Sequence, residues 1–354
     1  MGEAEDGGRL GRSDGAALHP LHLIRPNTSS QGRSVEEYRA PLFIAWQLTN
    51  RCRARCLACC EESGPDKAWR DELTRDEALD VARQIVSAGI PYAAFGGGEP
   101  LGVAHAWEIF EILAEGGVAL KLETEGTYID ADGADRIAEL RMQCVQISVD
   151  GAKPETHERV RPGASFASAI AAIKRLVERG RRPQMVFVPT RLNVGEIGDA
   201  FDLAADLGCE AFVTGPLMRL GRAAQDWDRI APSEAQWTSA VDDLQERAAA
   251  RRSTIALSIY PWDILTELRT RLESPQAMLL VVPNGKVKLL NALPFAPADL
   301  RRDSLERAWR AYRAAWRSPA VRTFVERCAA DPSLLRHANE TWKLELPATA
   351  TAPT

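Results

Sequence analysis

No run of apolar residues in the 354-residue chain approaches the ~18 needed to cross a bilayer, so no membrane span is expected. The opening MGEAEDGG has neither a basic nor an apolar stretch, which argues against a signal peptide. Asp6 stands where an N-terminal acylation signal needs Ser or Thr. There is no excess of positive charge either: 44 Lys and Arg face 49 Asp and Glu, a net charge of −5. The basic residues are spread through helix-like segments, so nucleic acid is not expected as a partner. Cysteine is scarce and odd in number, seven in all, yet three fall within eight positions. That pattern points to metal chemistry in a reducing, cytoplasmic setting rather than to a disulfide framework.

What is present is an alternation. Short β-rich runs at 42–48, 92–95, 118–123, 145–149, 185–189 and 211–214 are each followed by a helix-like segment, as at 74–88, 106–114, 167–179 and 196–207. Thr74 with Glu77 supplies a capping box. Six strand–helix repeats predict an α/β fold, a partial (β/α)6 TIM-like barrel with its active site at the carboxyl ends of the strands. Residues 1–38 read as a disordered extension, 39–230 as the barrel core, 231–343 as a small C-terminal α+β cap, and 344–354 as a flexible tail. Within the cap, a long charged helix precedes the hairpin-like VVPNGKVKLL and two helices near 304–313 and 319–327.

The segment LTNRCRARCLACC follows the first strand and places Cys52, Cys56 and Cys59 in a C-x3-C-x2-C spacing. A loop at a strand end can wrap a cubane and give thiolates to three irons, leaving the fourth open for chemistry. A zinc site is the competing reading. It would want a fourth ligand, for which the adjacent Cys60 is the nearest candidate.

This signature resembles the radical SAM superfamily, and WQLTNRCRARCLACCEESGPD resembles the subgroup of pyrroloquinoline quinone and mycofactocin maturases and haem-biosynthesis proteins. The residue before the third cysteine, usually aromatic there, is Ala58. The resemblance implies one 4Fe–4S cluster on Cys52, Cys56 and Cys59, with S-adenosylmethionine (SAM) on its open iron. FGGGEP at 95–100 resembles the family's GGE motif, and implies that Gly97, Gly98 and Glu99 hold the methionyl amino group. LETEG resembles a T-N-G strand end, with Thr124 in the cosubstrate site and Glu125 replacing Asn. In VQISVDGAKPETHERVRPGASF, Ser148 and Arg161 correspond to contacts with the SAM carboxylate or ribose. Asp150 is read equally as a turn residue or a contact, and His157 as a surface or capping residue. Gly215 and Gly221, in TGPLMRLGRA, are placed near the adenine.

The C-terminal stretch resembles a degenerate SPASM or Twitch region: Asn284 replaces an Asp and Leu290 stands in place of the first auxiliary-cluster cysteine. Leu289 and Leu290 are expected to fill the space a cluster would take. The implied function is reductive cleavage of SAM to a 5′-deoxyadenosyl radical that abstracts hydrogen from a substrate. Electrons would come from ferredoxin or flavodoxin, and the substrate would be a peptide on a carrier or a small metabolite. Glu123, Glu125 and His105 are candidate substrate-facing groups. The alternative is a non-catalytic iron–sulfur or zinc-binding module that retains the barrel.

Overall fold

The computed structural model describes residues 34–251 and 254–344. Seven parallel strands follow one another in order: β1 (Phe43–Thr49), β2 (Tyr92–Gly97), β3 (Ala119–Thr124), β4 (Cys144–Ser148), β5 (Gln184–Val186), β6 (Ala211–Thr214) and β7 (Ala256–Ile259). The first six match the strands read from the sequence. The alternation runs one unit beyond 230: the charged helix Glu234–Arg251 leads into β7, whose four residues are not fully buried and give a weak apolar signal. The sheet stays open, as a partial barrel.

Alternation along the strands gives the sheet two different faces. Ile44, Trp46, Leu120, Leu122, Val145 and Ile147 are buried in one apolar core with the surrounding helices. The opposite, lumenal face carries Gln47, Lys121, Glu123, Gln146, Ser148 and Gln184. Polar side chains there pair with one another: Lys121 with Glu123 at 2.7 Å along β3, and Gln146 through Gln184 to Glu210 at 2.8 and 2.9 Å across strands. A lumen walled by such groups stays solvated, with room for a ligand.

The C-terminal hairpin is an integral part of the sheet. Strand β8 (Met278–Val281) pairs in parallel with β1, from Phe43↔Met278 to Trp46↔Val281. It turns through Gly285, whose φ of +78° suits glycine, into the antiparallel β9 (Lys286–Lys288). The two-residue strand Ala298–Asp299 completes the ten-stranded order, from that strand through β9, β8 and β1 to β7. The edge that β1 would otherwise expose is thereby paired.

Helix Leu305–Trp316 backs this edge with Leu305, Trp309, Tyr312 and Trp316 buried at helical spacing. The turn Val35–Glu37 lies inside the expected extension. Ser34 and Glu37 cap it reciprocally, and Trp309 donates its indole N–H to the Tyr38 carbonyl at 2.9 Å. The rest of the extension and nearly all of the tail fall outside the described residues.

Leu289 is fully buried, Leu290 only half-buried, and Lys288 is buried with its ammonium on the Ala338 carbonyl. The hairpin end is therefore less apolar than expected. Replacing Leu289 by Asp should cost several kcal/mol, because the charge would be buried without a partner. The same change at Leu290, whose side chain reaches water, should cost far less. Urea unfolding of the metal-free protein compares the two.

Candidate active site

The cysteine loop leaves β1 at Thr49 and is fixed by backbone bonds to three neighbouring segments. Gly98 and Glu99 donate to the Thr49 and Arg51 carbonyls at 2.7 and 2.9 Å, Cys52 to Gly64 at 3.1 Å, Arg55 to Pro162 at 2.7 Å and Leu57 to Val160 at 2.9 Å. Arg222 holds the far end, donating to the Cys56 and Ser63 carbonyls at 2.6 and 2.7 Å. Asn339 adds a bond to the Cys60 carbonyl at 2.8 Å, which ties the C-terminal region to the loop.

Cys52, Cys56 and Cys59 line one cavity of about 250 Å³ at the carboxyl ends of the strands, together with Cys60. Ala58, Gly97, Gly98, Thr124, Ser148 and Arg161 lie in the same wall, as do Glu61, Glu123, Glu125 and Asp150. The three cysteines thus meet Gly97, Gly98, Thr124, Ser148 and Arg161 here, whereas Glu99, Gly215, Gly221 and His105 are not in this wall. Burial pushes the Cys52 thiol up to about 12 and that of Cys59 to about 11, and raises Cys56. A metal must displace those protons to bind. Ser63 donates its backbone N–H to the Cys59 sulfur at 3.3 Å, a contact that favours a thiolate.

Among the described residues no three His, Cys, Asp or Glu groups are gathered as a site for a single ion. A lone tetrahedral zinc would need its sulfurs within ~4 Å of one another. The cysteines border a cavity of about 250 Å³, which has room for a group larger than a single ion.

Glu99 lies behind this wall, 2% exposed. Its carboxylate accepts from the Thr124 hydroxyl at 2.8 and 2.9 Å, from Glu125 N–H at 2.9 Å and from Leu101 N–H at 3.1 Å. Burial raises its pKa to about 7. Instead of facing the cavity as expected, it anchors the end of β3. The glycines before it also serve packing. A Cβ on Gly98 would lie 2.1 Å from the Arg51 carbonyl oxygen, and Gly97 has a φ of +101°.

Glu125 is 4% exposed and lines the cavity, yet neither carboxylate oxygen has a hydrogen bond of good geometry. Burial raises its pKa. Arg161 donates to Asp150 at 3.0 Å, while its Nε is buried without a partner. Asp150 uses its other oxygen to accept from Val188 N–H at 2.7 Å, so it orients Arg161 and is more than a turn residue.

His157, expected at the surface, is 1% exposed, and its Nδ1 accepts from Asp150 N–H at 3.1 Å. Gly221 packs on the Cys60 carbonyl and Gly215 on Tyr260, and neither borders the cavity. His105 begins the helix Ala106–Glu115, also away from it.

Sequence reasoning missed Arg222, Glu61 and Glu72. The Gly-Arg-Ala run after β6 was the available signal for Arg222. Glu72 accepts from the Thr49 hydroxyl and from Asn50 N–H, both at 2.9 Å, a loop-to-loop contact with no sequence signature.

The family model for the radical SAM superfamily matches residues 46–204. The chain carries a radical SAM domain. The cofactors of that family are a 4Fe–4S cluster and SAM, and the three cysteines in one wall suit the first.

Mycofactocin maturase MftC of Mycobacterium ulcerans is 32% identical to this domain-bearing chain over 220 residues, 61% of the chain and 59% of the relative. An AdoMet-dependent heme synthase of Methanosarcina barkeri is 32% identical over 197 residues, 55% and 56% of the two. The chain thus spans little more than half the length of the curated relatives it matches. Among solved structures, Streptococcus suis SuiB bound to its precursor peptide SuiA superposes with a TM-score of 0.65 at 13% identity, covering 80% of this chain and 68% of SuiB. The structure of anSMEcpe with AdoMet and the Cp18Cys peptide gives 0.56 at 16% identity, covering 81% and 83%. Both share the fold of the domain.

Burial, and secondarily the Arg161 charge, lowers the His157 pKa to about 4. A histidine kept neutral in the folded state stabilises fully above its unfolded pKa of ~6.5, and loses that contribution as pH falls towards 4. Metal-free protein should therefore lose ~2–3 kcal/mol more between pH 7 and pH 4 than its His157→Gln variant. Urea unfolding across that range measures the difference.

Proposed function

We propose that the protein is a SAM-dependent radical enzyme whose cluster rests on Cys52, Cys56 and Cys59 and whose cosubstrate fills the rest of the cavity. One observation carries the reading: a buried carboxylate without a hydrogen bond, Glu125, in a long 4.0 Å ion pair with Arg53, and a buried guanidinium with one unpartnered N–H, Arg161, line the same wall as the cysteines. Buried polar atoms left without hydrogen bonds are costly and call for a ligand that supplies the complements. An α-amino acid zwitterion does so, its ammonium on Glu125 and its carboxylate on Arg161. SAM ends in such a group.

In this reading Asp150 and His157 hold Arg161 in place, and Glu99 holds Glu125 through the backbone N–H and Thr124. Gly97 and Gly98 let the cysteine loop lie close beneath the cosubstrate, with Thr124 and Ser148 as polar wall. When bound, the cluster supplies the electron that divides SAM into methionine and a 5′-deoxyadenosyl radical, which takes hydrogen from a substrate carbon. The pinned loop holds the three thiols in fixed positions beside the cosubstrate.

The substrate is proposed to be a peptide. SuiB and anSMEcpe were each solved with one, and the polar lumen suits a backbone with many hydrogen-bonding groups. The electron donor is a low-potential carrier such as ferredoxin or flavodoxin. A non-catalytic metal module gives no use to the unbonded polar atoms of Glu125 and Arg161.

Anaerobically reconstituted protein should hold about four irons per chain and release 5′-deoxyadenosine from SAM under dithionite. Cys52→Ala, Cys56→Ala and Cys59→Ala combined should abolish both, and a full iron complement in that variant would refute the cluster assignment. Glu125→Gln should keep its iron but weaken SAM binding by ~1.5–3 kcal/mol, about 10- to 100-fold. Binding of methylthioadenosine, which lacks the amino acid, should be unchanged. Equal losses for both ligands would remove Glu125 from the amino-group site.

A further inference from the structure

Cys52 differs from the other two cysteines in what lies behind it. It lines the interior cavity, and it also lines a separate outer groove of about 470 Å³ that Cys56 and Cys59 do not reach. The partition between cosubstrate space and the outside is one residue thick at this point. The chain runs Arg51-Cys52-Arg53-Ala54-Arg55, with the arginines exposed and Cys52 and Ala54 buried at 9% and 1%. The alternation is enforced by the backbone bonds that seat the loop on Gly64, Glu99 and Pro162. Arg51 and Arg55 therefore stand outward on either side, Arg53 is half-exposed with its Nε 4.0 Å from Glu125, and Cys52 is the one cluster cysteine that lines the groove between them.

The charge of this face opposes that of the whole chain, which is −5. Arg55 is partnered by Asp66 at 2.7 Å, and Arg53 donates to the Gly163 carbonyl at 3.2 Å and lies 4.0 Å from the Glu125 carboxylate. Among the described residues no acidic side chain pairs with Arg51. Lys67 is exposed on the adjoining turn, beside Gly64, which bridges to Arg51. Across the groove Tyr128 is 47% exposed, one of few large apolar side chains in the described surface to be so. Unpaired arginine, lysine and an open aromatic ring are the side chains protein interfaces favour or use for steering.

The radical reading, on which this inference rests, consumes one electron for each SAM divided, and the electron must enter from outside. Transfer weakens steeply with distance, so a carrier does best to dock in a groove that a cluster ligand itself lines, as Cys52 does here. We propose that the face of Arg51, Arg53, Lys67 and Tyr128 is the docking surface for a small acidic one-electron carrier protein, and that its electron enters at Cys52. The carrier is oxidised by one electron, and the sulfonium bond accepts it. Substrate in the lumen stays on the opposite side of the cysteine loop, so the two partners do not compete.

The test uses the full chain with its cluster and a double charge reversal, Arg51→Glu with Lys67→Glu, residues outside the cosubstrate site. Binding of an oxidised flavodoxin and, separately, an oxidised ferredoxin is measured by fluorescence anisotropy at low and high salt. SAM cleavage is measured with each reduced carrier and with dithionite. Carrier affinity and the carrier-driven kcat/KM should both fall at least tenfold at low salt, the loss shrinking at high salt as charges are screened. The dithionite-driven rate should stay within twofold, and Arg51→Lys should behave as the parent. Whichever carrier shows the effect is the class the face accepts. The proposal is overturned if neither carrier binds the parent, if the reversal leaves binding intact, or if dithionite-driven cleavage falls equally. Failure of the parent to cleave SAM with dithionite would instead refute the radical reading, and the binding arm would still decide whether the face docks a carrier.

Discussion

The architecture depends on how closely two backbones approach where β1 and β2 end. Gly97 and Gly98 allow the Thr49–Arg51 segment to lie against them, where any Cβ would collide with the Arg51 or Thr49 carbonyl. Two hydrogen bonds from Gly98 and Glu99 close the contact. The direction in which the cysteine loop leaves the sheet follows from it, and hence the position of each thiol. The glycines thus have a mechanical role besides bordering a ligand, and larger residues there would displace the whole loop.

A second layer of constraint fixes the charged groups. Asp150 takes one donor from Val188 and one from Arg161, and its own N–H is received by His157. Glu99 is saturated by donors from Thr124, Glu125 and Leu101. Both carboxylates are spent on holding a neighbour, which leaves Arg161 Nε and Glu125 with unmet capacity inside the cavity. Orientation by fully bonded residues behind a partly bonded pair is how a buried site stays rigid before its ligand arrives.

Much of this was legible in the sequence where the signal was local. Strand alternation located β1 to β6, with β5 ending three residues earlier than read; the Thr74–Glu77 cap formed as read, and the C-x3-C-x2-C spacing brought its cysteines to one wall. Other features depend on distant partners that no local pattern encodes. His157 looked like part of a charged surface turn, and only folding shows that its ring receives an N–H from Asp150. Glu99 reads from its motif as a ligand contact, whereas the buried Thr124 hydroxyl draws it the other way. The seventh strand escaped notice because its residues are half-exposed, and Lys288 because a lysine in a hairpin is ordinarily solvated.

The pairing of β8 with β1 has a consequence for how the molecule is made. Ile44 and Leu279 face each other across the ladder although 235 positions (279 − 44) separate them in the chain. Closing so long a loop is entropically expensive and slow. During synthesis the strand that carries the cysteine loop therefore waits, paired on one side only, until nearly four-fifths of the polypeptide has emerged. Any chain interrupted before residue 278 would present that strand as a bare edge of backbone donors and acceptors, prone to joining a neighbour.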